Sequence, residues 1–320
     1  MFKTQIISLN IFNKTLYLKL EYQNIAGSIK DRVAYFILGI LKKVGKVDKD
    51  TIVCEATSGN TGIGIASFCA KNKIPSLIFL PENTSLEKIK ILKLFGTNLV
   101  VTPKEIGLAG SLRLLKTFLK NEFLIIDNTL VSKKDKNLYG KLITNIEPKK
   151  FYFFKKYFFN QFENPLNWIC HYKTTAREIL EFLGEKKKKI NIDAFGCGVG
   201  TGGSIYGISR ALKEKYKTIK VFSVLPKEYP HDIEGIGPNF EPLFYRKLKE
   251  ENLLDEEIKL STLEVKSFLK DFIKHTGIPI GLSAAANILA SLIFLDKHNL
   301  NSALTLVPDN VYKYLTKISI

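Results

Sequence analysis

Cysteine is scarce in this 320-residue chain, with only Cys54, Cys69, Cys170 and Cys197, and the wide spacing excludes both a disulfide framework and a C-x-x-C zinc ligand set. A reducing cytoplasm is the compartment that suits them. No apolar run reaches the roughly 18 to 20 residues that cross a bilayer, and Lys3 is not followed by an apolar stretch ending in small residues. Neither a membrane span nor a secretory leader is therefore expected. Tryptophan and methionine occur once each, as the amino-acid supply of an AT-rich genome would produce.

Positive charge is plentiful, with a net charge of +17, and a clustered excess would point to nucleic acid or an anionic membrane. The lysines are scattered instead. The longest run, Lys186 to Lys189, falls between Gly184 and the apolar Ile190 to Phe195 and reads as a solvated loop before a strand. Phe151 to Phe159, interleaved with Lys155 and Lys156, has the composition of a base-stacking platform. Its place directly before Gln161 reads better as a buried strand with its flank, and no nucleic-acid partner is expected.

Short β-branched runs alternate with longer amphipathic stretches, the pattern of an α/β protein with mostly parallel sheets. Strands are expected at 51–55, 76–80, 98–101, 190–195 and 218–224, and helices at 61–71, 85–95, 175–182 and 203–213. Residues 121–150 break the rhythm with charged sequence of no clean period. The length exceeds what one core usually serves, so two domains are expected.

Three groups of residues carry chemistry. Gly27-Ser28-Ile29-Lys30-Asp31-Arg32 runs straight into the apolar-periodic Val33 to Leu41. A lysine in the first turn of a helix opposes the helix dipole, which lowers its pKa and suits a reactive amine; an exposed surface lysine beside a favourable Asp31 is the plainer reading. Thr57-Ser58-Gly59-Asn60-Thr61-Gly62, between a strand and a helix, is either an anion cradle sized for a carboxylate or a well-capped turn. Gly198-Val199-Gly200-Thr201-Gly202-Gly203-Ser204 has the same setting and reads as a phosphate cup; no lysine follows, which argues against a P-loop. The three together suggest one phosphate site, one carboxylate site and one lysine.

These motifs resemble the fold type II pyridoxal-phosphate (PLP) enzymes, in their cysteine synthase and cystathionine β-synthase branch. The likeness continues through Leu80-Pro81-Glu82 with Ser85, Gln161-Phe162-Glu163-Asn164-Pro165, Glu234 to Gly237, Gly281-Leu282-Ser283 and Pro308-Asp309. It implies a two-domain α/β fold like the tryptophan synthase β chain. A larger PLP-binding domain of 1–34 and 121–320, with an insertion at about 121–150, would accompany a smaller mobile substrate domain of 35–120.

The resemblance makes Lys30 the Schiff-base lysine and the base that moves the Cα proton. Gly200, Thr201, Gly202, Gly203 and Ser204 would bind the cofactor phosphate, Asn60 its ring oxygen, and Ser283 would face the pyridine nitrogen. Thr57, Ser58, Gly59, Thr61 and Gln161 would hold the substrate carboxylate. No metal is implied. A hydroxyl at Ser283, unlike a carboxylate, does not enforce a full pyridinium, which favours β-elimination over transamination.

The implied activity is β-replacement on a serine-derived donor by a small nucleophile, first of all cysteine from O-acetylserine and sulfide through an aminoacrylate. The alternatives are cystathionine formation, an amine- or glutamate-accepting phosphoserine enzyme, cysteine desulfuration, and a silent docking protein of the same fold. A cytoplasmic homodimer, with serine acetyltransferase as a docking partner, completes the expectation. Ile25 stands where the family carries Pro, and Ala284 to Asn287 replace a Ser/Gly-rich run. His171 is expected to be structural, and Cys197 a small buried hydrophobe.

Overall fold

The computed structural model describes residues 3–57, 59–184, 190–237 and 239–317. The run Lys186 to Lys189 thus lies outside the described residues. The first strands are β1 (Ile6–Ile11), β2 (Lys14–Leu20), β3 (Thr51–Ala56), β4 (Ser76–Pro81) and β5 (Asn98–Thr102). They are followed by β6 (Phe123–Ile126), β7 (Thr129–Ser132), β8 (Tyr139–Ile143), β9 (Lys155–Phe158), β10 (Ala194–Gly198), β11 (Lys220–Pro226), β12 (Glu256–Leu260) and β13 (Ser302–Val307). The helices begin with α1 (Lys30–Lys43), α2 (Asn60–Asn72), α3 (Leu86–Leu94), α4 (Gly107–Leu119) and α5 (Leu166–Lys173). They continue with α6 (Thr175–Gly184), α7 (Gly203–Lys215), α8 (Leu243–Glu250), α9 (Thr262–Thr276) and α10 (Leu282–Lys297).

The chain divides into two compact units, Met1–Arg32 with Phe162–Tyr312, and Val33–Gln161 with Lys313–Ile320. The first is built on a sheet of order β1-β2-β13-β10-β11-β12. Only its β1–β2 pair is antiparallel. Phe195, Cys197, Ile205, Ile208, Leu304 and Leu306 meet in its core, so α7 is clamped to β10 and β13 by apolar burial. Gly196 is required there, because a Cβ would lie 2.2 Å from the Phe222 ring. The strand expected at 190–195 starts only at Ala194. The Asp193 carboxylate before it accepts from the N–H groups of Asn301 (3.0 Å) and Ser302 (2.9 Å), pinning the entry to β13.

The second unit carries a sheet of order β6-β7-β8-β5-β4-β3-β9. β3 and β4 are buried at six consecutive residues each, as strands covered on both faces must be. The parallel β9-β3-β4-β5 half matches the expected rhythm, whereas β8, β7 and β6 join antiparallel.

That antiparallel half corrects two expectations. Residues 121–150 are an extension of the sheet and not a structureless insertion, and they belong with the unit of 35–120. Phe123, Leu130, Leu138 and Leu142 pack in one core with Val100, Leu114 and Phe118, and that shared core decides the grouping. The β6–β7 hairpin turns on Asp127 and Asn128, both at positive φ (45° and 56°), the two-residue loop that suits antiparallel strands. Phe151 and Phe159 are buried on either side of β9, in keeping with a strand and its flank. Among the described residues no helix is long and apolar enough to cross a membrane, and no group of three His, Cys, Asp or Glu could hold a metal ion.

Candidate active site

Lys30 is the first residue of α1, and its neighbours hold the preceding turn closed. Asp31 Oδ2 accepts from the N–H groups of Ala26 (2.8 Å) and Ser28 (3.2 Å), and Ser28 Oγ accepts from the Lys30 N–H (3.3 Å). The Ile29 N–H donates to the Pro308 carbonyl at 2.9 Å, and Ser28 bridges to Asp309, so the lysine hangs from the segment that follows β13. Its side chain is half-buried, not a freely solvated surface residue. Desolvation lowers its pKa, opposed by the electrostatic pull of Cys197 and Asp309.

Two turns of sequence chemistry anchor this helix start. Arg32 is fully buried and forks onto two carboxylates, with Nε 2.6 Å from Glu21 and Nη1 2.6 Å from Glu178. Lys19 Nζ lies 2.6 Å from Glu178, and Thr4 Oγ1 donates to Glu21 at 2.9 Å. Two cations and two carboxylates thus balance in the interior. His171 is buried against Thr175 Oγ1 (3.0 Å). Desolvation first, then the charges of Lys30 and Arg32, push its pKa well down, so it stays neutral.

The glycine loop between β10 and α7 brings its backbone close to its neighbours. Gly202 adopts φ +79°, and a Cβ on it would meet the Tyr245 nitrogen at 2.5 Å. A Cβ on Gly203 would lie 2.3 Å from Asn167 Oδ1. Asn167 Nδ2 donates to Thr201 Oγ1 at 3.0 Å, and Thr201 Oγ1 accepts from the Gly203 N–H at 3.3 Å. The loop gathers backbone N–H groups, two hydroxyls and a helix N-terminus, the kind of donor set a phosphate takes. Asn287 ties the loop's root, accepting from the Gly198 N–H (2.7 Å) and donating to the Leu306 carbonyl (2.9 Å).

Cys197 hydrogen-bonds with Ser204 and lies near enough to Lys30 for their charges to interact; burial pushes its pKa up to about 12, so it remains a thiol. Ser283 is buried in the first turn of α10 with Gly235 opposite, where a Cβ would stand 3.7 Å from its Oγ. Lys30, Gly200 to Ser204 and Ser283 thus share one unit. A phosphate-bearing aldehyde cofactor fits them: the cup takes the phosphate, and the desolvated amine is the group that condenses with a carbonyl.

The carboxylate loop belongs to the other unit. Thr57 and Gly59 lie between β3 and α2 and Asn60 and Thr61 open α2, while Ser58 is outside the described residues. Thr57 Oγ1 accepts from the Gly59 N–H at 3.2 Å, and Thr61 Oγ1 donates to Gln161 Oε1 at 2.6 Å. Glu55, 2% exposed, accepts from the N–H groups of Ala56 (2.8 Å) and Gln161 (3.0 Å). Burial raises its pKa to about 7 against those two bonds.

Sequence reasoning missed two buried lysines in this unit. A Cβ on Gly59 would lie 3.2 Å from Lys88 Nζ, and Lys313 Nζ donates to Asn60 Oδ1 at 3.1 Å. Lys88 is recognisable only in retrospect, as a lysine on the inner face of α3 next to Ser85. Lys313 follows Pro308-Asp309 with no periodic signal at all.

The chain is 33% identical to the cysteine synthase B of Campylobacter jejuni, across 98% of this chain and 94% of that one. Among solved structures it is similar to a hydrogen sulfide-producing enzyme from Fusobacterium nucleatum, with a TM-score of 0.79, 31% identity, and coverage of 97% and 96%. It is also similar to the O-acetylserine dependent cystathionine β-synthase of Helicobacter pylori, with a TM-score of 0.81, 29% identity, and coverage of 100% and 96%. The family model described as pyridoxal-phosphate dependent enzyme matches residues 1–309, a span that takes in all three motif loops and all of both units except residues 310–320. On that match the protein belongs to the pyridoxal-phosphate dependent enzyme family.

Proposed function

We propose that this enzyme is a cysteine synthase, replacing the acetate of O-acetylserine with sulfide at Cβ and releasing acetate. The observation that carries the reading is the desolvated Lys30 amine in the same unit as the glycine cup and Ser283. The likeness to a cysteine synthase over nearly the full length of both chains supports the choice of substrate. Bound PLP supplies an electron sink for the pair left when the Cα proton departs.

The protein's own residues do the rest. Lys30 holds the cofactor covalently and is the base for the Cα proton. The lowered pKa keeps more of its amine unprotonated near neutrality, as both roles need. Gly200, Thr201, Gly202, Gly203 and Ser204 bind the phosphate, Asn60 donates to the ring oxygen, and Ser283 faces the ring nitrogen as a neutral partner. Thr57, Ser58, Gly59, Thr61 and Gln161 hold the donor's carboxylate. Four buried, unpaired cysteines suit a cytoplasmic location. A homodimer and docking of serine acetyltransferase belong to the same reading on the strength of the family resemblance.

The test is a donor-by-acceptor screen of the purified holoenzyme, read by mass. O-acetylserine with sulfide should yield cysteine, and Lys30→Ala should abolish it and the visible band of the bound cofactor. Cystathionine from homocysteine as the sole product, or sulfide release from cysteine without synthesis, would overturn the assignment.

A further inference from the structure

The amide of Asn60 has two faces of nearly equal shape and opposite hydrogen-bonding character, so its orientation is set by what lies beside it. Lys313 decides it. The residue is 5% exposed, its ammonium has only donors to offer, and Nζ lies 3.1 Å from Asn60 Oδ1 across 253 positions of sequence. An ammonium facing the amide NH2 would set donor against donor. The carbonyl therefore faces Lys313, and the amide N–H groups face the other way.

Lys313 is itself fixed to the same unit. Its carbonyl accepts from Ser85 Oγ at 2.9 Å, Tyr314 is buried with Lys88 Nζ 4.3 Å from its ring centroid, and the Thr316 N–H and Oγ1 donate to Glu87 at 2.7 and 2.8 Å. These contacts bind the segment after Tyr312 to the head of α3 through Ser85, Glu87 and Lys88. We infer that Lys313 is a positioning residue that orients Asn60 as a donor toward the cofactor's ring oxygen, and that the C-terminal strap delivers it. The inference rests on the ring-oxygen role proposed for Asn60. An electron-rich oxygen is bound by N–H and repelled by C=O, and the adjacent ammonium polarises the amide to strengthen that donation.

The test compares Lys313→Met, Lys313→Arg, Asn60→Ala, Asn60→Asp and the Asn60→Ala/Lys313→Met double variant. Each is read by its thermal melt, by the visible band of bound PLP and by PLP titration of the apoprotein. Lys313→Met should shift the band in the direction of Asn60→Ala and weaken PLP binding about tenfold, as loss of one hydrogen bond to a charged oxygen predicts. Lys313→Arg, which keeps a donor, should retain the wild-type band. In the Asn60→Ala background Lys313→Met should add nothing. Should Lys313→Met melt poorly, Asn60→Asp carries the same contrast, since it keeps an acceptor for Lys313 yet loses the N–H groups; it should shift the band without lowering the melt. An unchanged band in Lys313→Met, or an effect that adds to that of Asn60→Ala, overturns the inference while leaving the Asn60 assignment intact. An unchanged band in Asn60→Ala overturns both.

Discussion

Thr61 Oγ1 donates a 2.6 Å hydrogen bond to Gln161 Oε1, joining the head of α2 to a residue 100 positions later. With its carbonyl oxygen held, Gln161 turns its amide N–H groups the other way, the orientation that meets a carboxylate. The N–H of Gln161 is in turn held by buried Glu55 at 3.0 Å, so side chain and main chain are both fixed before any ligand arrives.

Removing the Gln161 amide should therefore weaken donor binding and leave the cofactor in place. Gln161→Ala is expected to raise the O-acetylserine concentration needed for half-maximal rate by about tenfold, the usual cost of a hydrogen bond to a charged group. Thr61→Val should act in the same direction by freeing the amide to rotate. PLP content and visible band, measured beside the kinetics, should stay at wild-type values; release of PLP with unchanged donor dependence would assign Gln161 to the cofactor instead.

Arg32 balances Glu21 and Glu178 in the interior, so its removal strands two carboxylates with Lys19 as the remaining cation. Arg32→Ala should cost about 3–5 kcal/mol of folding stability, the range for breaking a buried ion pair. Urea unfolding at neutral pH measures it. A loss near zero would mean that water reaches the cluster and solvates it.

Glu55 makes stability depend on pH in an unusual direction. Its folded pKa is raised to about 7 from an ordinary 4.5, so the protonated form is the one the fold favours. Its contribution is complete below about pH 4.5 and is lost as pH rises through 7, with a slope approaching about 1.4 kcal/mol per pH unit. Glu55→Gln lacks that decline, though its amide can match only one of the two N–H donors. Urea midpoints should show the variant well below wild type at pH 5 and the gap narrowing by pH 8. A constant gap would show that Glu55 does not titrate in this window.

Phe123 ties the antiparallel extension to the second unit, buried with its ring centroid 4.9 Å from that of Phe118. Phe123→Ala should destabilise the protein by about 3–5 kcal/mol, as aromatic truncation in a packed core does. Excising residues 121–150 should be costlier still. A deletion variant that melts with wild type would return the segment to the status of a surface insertion.

The sequence by itself determined the parallel strands β3, β4, β5, β10 and β11, the start of α1 at Lys30 and both motif loops, because each is specified by neighbours within a few residues, whereas β2, β12 and β13 were not among the expected strands. Buried strands need continuous apolar runs, helix starts need caps, and glycines permit close backbone approach. It also placed Cys197 correctly as a buried group. The antiparallel strands β6, β7 and β8 were not foreseen. Strands of only four or five residues are too short to establish an alternation, and the Asp127-Asn128 turn is the one local signal that could have found them.

Tertiary structure alone decided which unit residues 121–161 join, since that depends on whose core Phe123 and Leu130 enter. It alone also decided the Arg32 cluster, the tie between Thr61 and Gln161, and the pairing of Lys313 with Asn60. A buried ammonium or amide takes whichever partner the folded chain brings within about 3 Å, because leaving it unmatched costs more than a hydrogen bond returns. Partners separated by 100 or 253 positions leave no periodic trace in either segment.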